Sequence, residues 1–219
     1  MPPALVWTSD RSVRVGSDDP AGLFCALRGA GVPGVVDLTP GFGGVLVEVD
    51  PLRVDVGRLE EVVRRCVSSA AEREEPRREH AIEVCYEGVF APDLGVLAER
   101  AGMSVERVIE LHSSAEYRVE VIGFSPGFGY LSGLAPELHA ARLDSPRTRV
   151  PAGSVGIAGE HTGVYPQATP GGWNLIGRTP RVMFDGTREE AALLAVGDVV
   201  RFVPIDAARF EELEREVRG

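Results

Sequence analysis

The chain of 219 residues has no lysine: all 23 of its basic residues are arginine. Amide side chains are almost absent as well, with one glutamine, Gln167, and one asparagine, Asn174. A phosphate-binding loop of the G-x-x-x-x-G-K-[ST] kind needs its lysine on the nucleotide phosphates, so that device is excluded. Schiff-base chemistry and pyridoxal phosphate attachment need a lysine amine and are excluded too. A Ser-x-x-Lys hydrolase is equally impossible. A coding bias toward arginine accounts for the composition, and the exclusions hold whatever its origin.

Other absences narrow the field further. The three cysteines, Cys25, Cys66 and Cys85, are odd in number and widely spaced. They fit small buried thiols in a reduced, cytoplasmic protein better than a disulfide or zinc framework. The four histidines lack metal-ligand spacing, so no metal site is expected on this chain. The net charge is -10 with no basic run, which repels nucleic acid. No stretch approaches the roughly 18 apolar residues of a membrane span. The opening Met-Pro-Pro-Ala has no signal pattern.

What is present reads as two units, 1–78 and 79–219, in an α+β chain. In the first, Ala4–Thr8 and Ser12–Gly16 are strand candidates around Ser9-Asp10. Asp19-Pro20 gives a helix start, with Asp as N-cap and Pro in the first turn. Val35–Leu38 and Val45–Val49 are strands split by a turn-rich run. Leu59, Val62, Val63, Cys66 and Val67 then lie at i, i+3, i+4, i+7 and i+8, an amphipathic helix. This order predicts a sheet with helices on one face. The charged segment Ala71–His80 reads as helix end plus linker.

The second unit has another texture. A strand at Ile82–Tyr86 and helices at Leu94–Ala101 and Val105–Leu111 precede a stretch without helical period. Gly123–Pro180 holds 11 Gly and 7 Pro in 58 residues, too many for long helices. Short β runs at Val119–Phe124, Val155–Ala158, Val182–Phe184 and Val199–Val203 predict a β-barrel with long loops. Asp206–Arg218 closes as a charged helix.

Gly123-Phe-Ser-Pro-Gly127 matches the G-x-S-x-G nucleophile elbow, but Pro126 biases Ser125 toward extended backbone and no helix former follows. Gly127-x-Gly129 lacks the rest of a dinucleotide fingerprint, although its backbone amides could meet an anion. Between Val150 and Pro180 only Glu160 and Arg178 are charged (taking His161 as neutral), amid many turn residues. Small residues there let backbone approach a ligand, and Phe128, Tyr165 and Trp173 offer flat apolar surface. Gln167 and Asn174 suit recognition of an amide or lactam. Tyr117, Arg118, Arg147 and Arg178 are candidate clamps for a carboxylate or phosphate. His112 shares a helix face with Val108 and Ile109, either as a core histidine or as a polar group at a domain junction.

Several long motifs in order carry a resemblance. They are His112-Ser-Ser-x-x-Tyr117-Arg118-Val119, Gly123-Phe-Ser-Pro-Gly-Phe-Gly-Tyr-Leu131, Pro146-Arg-Thr-Arg-Val-Pro-Ala-Gly-Ser-Val-Gly-Ile-Ala-Gly159, Thr162-Gly-Val-Tyr-Pro166 and Pro170-Gly-Gly-Trp-Asn-Leu-Ile-Gly-Arg-Thr-Pro180. With Asp10-Arg-Ser-Val-Arg-Val, Gly34-Val-Val-Asp37 and Tyr86-x-Gly-x-Phe-x-Pro-Asp-Leu94, the chain resembles the allophanate hydrolase subunit 1 family over nearly its whole length. The resemblance implies a ferredoxin-like N-terminal domain and a cyclophilin-like β-barrel. It implies a role in an ATP-dependent 5-oxoprolinase that opens the lactam of 5-oxoproline to glutamate. ATP, with Mg2+, would act at the level of a complex with a sister chain of the subunit 2 type (the C subunit) and an A subunit. Relatives also include a sporulation histidine-kinase inhibitor and one half of a urea carboxylase carboxyltransferase region. The family often has Gln before Thr-Gly-x-Tyr-Pro, where this chain has His161.

These readings together assign catalytic roles to Arg147, Arg178 and His112. They assign substrate or nucleotide contacts to Phe124, Ser125, Gly127, Phe128, Gly129, Tyr130, Pro151, Gly153, Ser154, His161, Tyr165, Gln167, Gly171, Gly172, Trp173 and Asn174.

Overall fold

The structure is a computed structural model that describes residues 5–69 and 78–218. The chain divides into two compact units, Met1–Arg77 and Arg78–Gly219.

In the first unit, β1 (Leu5–Ser9) and β2 (Ser12–Gly16) form a hairpin laced by the hydroxyls of Thr8, Ser9 and Ser12. Helix α1 (Pro20–Ala30) starts at Asp19, whose Oδ1 accepts the Gly22 N–H at 2.9 Å, and ends at Gly31 in the left-handed region. Strands β3 (Val35–Gly41) and β4 (Gly44–Val49) form a second hairpin, followed by α2 (Val56–Ser69). The sheet is antiparallel in the order β1-β2-β4-β3. Alternation puts Val13, Val15, Val45, Val47 and Val49 on one face. There they bury against Leu23 and Leu27 of α1 and Leu59, Val63 and Cys66 of α2. The expected helix end and linker fall outside the described residues up to 77. Beyond them the chain is already in a strand, so His80 is a sheet residue.

In the second unit, β5 (Glu79–Cys85) leads through a 3-10 turn at Gly88–Phe90 to α3 (Leu94–Arg100) and α4 (Val105–Ser114). Ser104 caps α4, accepting the Arg107 N–H at 3.2 Å. The helix runs past the expected Leu111, which keeps His112 inside its last turn. Strands β6 (Tyr117–Ile122), β7 (Gly129–Ser132), β8 (Arg147–Val150), β9 (Ser154–Ala158), β10 (His161–Val164), β11 (Thr169–Gly171), β12 (Asn174–Arg178) and β13 (Val199–Ile205) follow, then α5 (Ala207–Arg218).

Seven of these strands close a barrel in the order β10-β7-β6-β13-β5-β12-β9, with β9 and β10 completing the ring. Only β13 and β5 run parallel, in register from Val199↔Glu79 to Ile205↔Cys85. Ile82, Val119, Leu131, Ile157, Ile176 and Phe202 belong to the barrel core, which Leu94, Leu97 and Ala98 of α3 and Val108 of α4 complete. A separate arm pairs β8 with β11. The expected strand Val182–Phe184 is reduced to one bridge, Phe184↔Ala192. The next residues turn, because Asp185 Oδ1 accepts both the N–H and the hydroxyl of Thr187. Among the described residues no helix is long and apolar enough to cross a membrane.

Candidate functional site

The barrel interior holds a directional polar chain. Thr162 donates its hydroxyl proton to the Gly156 carbonyl at 3.0 Å, so it must accept from His112 Nε2, 2.9 Å away. That places the imidazole proton on Nε2 and leaves Nδ1 to accept from the Tyr86 hydroxyl at 2.8 Å. The Tyr117 hydroxyl donates to the His112 carbonyl at 2.8 Å, and the ring stacks on Phe202 at 4.6 Å. His112 is 0% exposed. Burial drives its pKa down to about 3, so the ring is neutral. Both ring nitrogens are engaged and the side chain is closed off from solvent, which fits the core-histidine alternative rather than a catalytic group or a polar group at a domain junction.

The rim of the same barrel is built differently. The β6–β7 loop closes on itself, with Gly123 N–H on the Phe128 carbonyl, Phe128 N–H on the Ser125 carbonyl and Ser125 N–H on the Gly123 carbonyl. These three amides serve the loop's own carbonyls. Phe124 at its tip has a φ of 65°, the one non-glycine residue with positive φ among the described residues. A bulky side chain rarely adopts this conformation, and such strain gathers at functional positions. Phe124 is also 60% exposed. The Ser125 hydroxyl is buried without a hydrogen-bond partner, and the loop continues into β7 rather than a helix, unlike a nucleophile elbow.

Behind the loop lies an aromatic cluster. Phe128 meets Tyr165 and Trp173 edge-on, both at 5.3 Å, and Phe124 approaches Phe128 at 5.4 Å. Tyr130 bridges Trp173 at 5.7 Å and His161 at 6.1 Å. Two glycines make the packing possible. A Cβ on Gly171 would sit 2.4 Å from the Tyr165 hydroxyl. Gly153 has a φ of 79°, and a Cβ there would lie 2.2 Å from the Thr179 carbonyl oxygen. Gly153 N–H binds the Tyr165 carbonyl at 2.7 Å, and the Ser154 carbonyl accepts the Tyr165 N–H at 2.9 Å. Burial raises the Tyr165 pKa, opposed by a backbone hydrogen bond from Trp173 and by the charges of Arg142 and Arg147.

The polar residues divide into committed and open groups. Arg147 Nη2 pairs with Asp93 Oδ1 at 2.6 Å, while Asp93 Oδ2 accepts the Leu175 N–H at 2.6 Å. Arg147 therefore ties β8 to the start of α3 and to β12. Arg178 donates to the Ala152 carbonyl at 2.9 Å, lies over the Phe210 ring and stands 3.8 Å from Glu214. Phe210 and Glu214 both belong to helix α5. Asn174 is buried and donates to the Ala141 and Ile157 carbonyls at 2.8 and 3.1 Å, so its amide organises backbone. His161 Nε2 lies 3.2 Å from Glu120, at the edge of an open cleft of ≈ 500 Å³ shared with His139, Ala140, Ala141, Gly159 and Glu160. Pro151 and Gln167 are exposed, and Gly172 packs near Pro146.

The structure thus brings Phe124, Phe128, Tyr130, His161, Tyr165, Gly171 and Trp173 together, with Ser125, Gly127 and Gly129 in the loop and strand beside them. It does not bring His112 or Arg178 to this rim. Sequence reasoning missed Thr162 as the partner of His112, 50 residues away. It also missed Glu120 and the anchoring role of Asp93. The Asp93 signal was a carboxylate directly before a helix; the other two carry none.

The chain belongs to the family described as carboxyltransferase domain, subdomain C and D, whose model matches residues 6–194. It is 47% identical to the B subunit of 5-oxoprolinase from Escherichia coli O157:H7 over 180 residues, 82% of each chain. It is 40% identical to the B subunit of 5-oxoprolinase from Bacillus subtilis (strain 168) over 195 residues, 84% of this chain and 81% of that one. Among solved structures, TTHA0988 matches with a TM-score of 0.73 and 37% identity over 90% of this chain. The chain spans 40% of the length of TTHA0988.

Proposed function

We propose that the chain is a subunit of an ATP-dependent 5-oxoprolinase complex that opens the lactam of 5-oxoproline to glutamate. The observation that carries this reading is the 40–47% identity, over more than four fifths of both chains, to two proteins named as B subunits of 5-oxoprolinase. The subunit is non-autonomous and shares its active site with a sister chain of the allophanate hydrolase subunit 2 type, with an A subunit completing the assembly. That TTHA0988 is more than twice as long as the matched module supports its working beside further protein. The working compartment is the cytoplasm.

The barrel unit is read as cyclophilin-like. The N-terminal unit is read as ferredoxin-like, because β2-α1-β3-β4-α2 with neighbours β2-β4-β3 follows the first five elements of that fold. Strand β1 takes the edge place of the sixth.

In this reading the aromatic rim receives the flat lactam ring. Phe124, exposed on its strained loop, closes over the ring, and Tyr165 and Trp173 behind it keep water from that face. Arg147 positions the β8 arm through Asp93. ATP, with Mg2+, would supply activation of the lactam carbonyl at the level of the complex.

The test is co-expression with the subunits encoded alongside, followed by a 5-oxoproline assay. Glutamate should form only with ATP and only with all partners. Turnover by this chain alone overturns the shared site. The family's carboxyltransferase description favours one second reading, a carboxyltransferase half acting on urea, for which biotin must arrive on another protein because this chain has no lysine. Activity of the complex on urea and none on 5-oxoproline would select it.

A further inference from the structure

We infer that Arg142 is the residue that takes the carboxylate of the substrate acid at the aromatic rim. This rests on the 5-oxoprolinase reading, and deepens it by naming the group recognised and the residue that recognises it.

Two of the arginines singled out for anion binding are already engaged. Arg147 is held by Asp93, and Arg178 is held by the Ala152 carbonyl and lies over Phe210 of α5. Arg142 is exposed and has no hydrogen bond or ion pair among the described residues. A guanidinium left unpaired in an acidic chain is a fixed positive charge with five donors available to a carboxylate.

Its position is fixed although its side chain is not. The residue before it is pinned where Asn174 donates to the Ala141 carbonyl at 2.8 Å. The residue after it is pinned where the Leu143 N–H donates to the Gly172 carbonyl at 2.7 Å. Both anchors flank Trp173, so the backbone of Arg142 is stitched to the strand entry that carries the indole. Ala141 also lines the open cleft beside His161. The Arg142 charge is close enough to oppose the burial-driven rise in the Tyr165 phenol pKa. A flat ring bearing a carboxylate meets apolar surface and a free cation side by side here. Asn174, the chain's single asparagine, is the positioning residue of this arrangement.

The experiment uses the reconstituted complex carrying Arg142→Ala or Arg142→Lys. Charge-assisted pairing of this kind is worth about one to two powers of ten in affinity. The alanine variant should raise the KM for 5-oxoproline by about 10- to 100-fold, with kcat and the KM for ATP little changed. Lysine should recover part of the loss. An unchanged KM for 5-oxoproline overturns the inference. So does a rise confined to the KM for ATP, which would make Arg142 a phosphate contact. Failure of the parent reading appears separately, as a wild-type complex that does not open 5-oxoproline. Equilibrium dialysis of labelled 5-oxoproline then decides: binding lost on Arg142→Ala supports the carboxylate contact, and equal or absent binding in both proteins overturns it.

Discussion

Inside the barrel, His112 has no exposure and both ring nitrogens in hydrogen bonds; at the rim, His161, next to Thr162 in sequence, pairs with Glu120 beside an open cleft. His161 opens strand β10, and His112 reaches the next residue of that strand, Thr162, from α4. The interior one is a neutral structural link whose loss leaves buried hydroxyls unsatisfied. The rim one belongs to a surface that also carries the strained, exposed Phe124. Burial and partner count, rather than residue type, separate the scaffold from the surface suited to chemistry.

Breaking the scaffold should cost most. Gly153→Ala forces a Cβ into the Thr179 carbonyl and a side chain into left-handed backbone, and should destabilise by about 3 kcal/mol or more in denaturant unfolding. His112→Leu strands the Tyr86 and Thr162 hydroxyls and should cost about 2–4 kcal/mol, with secondary structure retained near neutral pH.

The interior histidine also predicts a pH dependence. Its folded pKa of about 3 lies below the unfolded value near 6.5, so the unfolded chain takes up the proton first. The stability this neutral imidazole contributes is complete above pH 6.5. It falls as the pH drops toward 3, by up to about 1.4 kcal/mol per pH unit. Urea midpoints across that window should show a steep acid limb that His112→Leu flattens. An equally steep limb in the variant would remove His112 as its cause.

Rim changes should spare stability and affect activity. Phe124→Gly relieves the positive φ and should leave stability equal or up to about 1 kcal/mol higher, while lowering kcat/KM of the assembled complex. Unchanged activity would take Phe124 out of the site. The smallest effect is expected from His161→Gln, within about 0.5 kcal/mol, because the Glu120 pair is partly solvated.

Much of this was legible before the structure. The spacing of Leu59, Val62, Val63 and Cys66 gave α2 its buried face, and Asp19-Pro20 marked where α1 begins. The density of Gly and Pro from 123 to 180 excluded helices, and the structure has none there beyond a 3-10 turn. Phe128, Tyr165 and Trp173 stood out by type and do meet. The short strands β7, β8, β10 and β11 were hidden, since three or four residues rich in glycine and polar groups give no alternation to count. Arg147 and Arg178 stood out while Arg142 did not, because an arginine's availability depends on partners elsewhere in the chain.

The sequence by itself determined which chemistries this protein cannot perform and which segments can be helix or tight turn. Those properties follow from side-chain type and from local dihedral preference. The tertiary structure alone decided that β5 and β13 pair in parallel across more than a hundred residues, and that Thr162 fixes the tautomer of His112. It also decided that Arg178 is engaged while Arg142 is free. Each of these requires barrel closure to bring distant groups together, and no local pattern encodes which long-range partner a side chain will find.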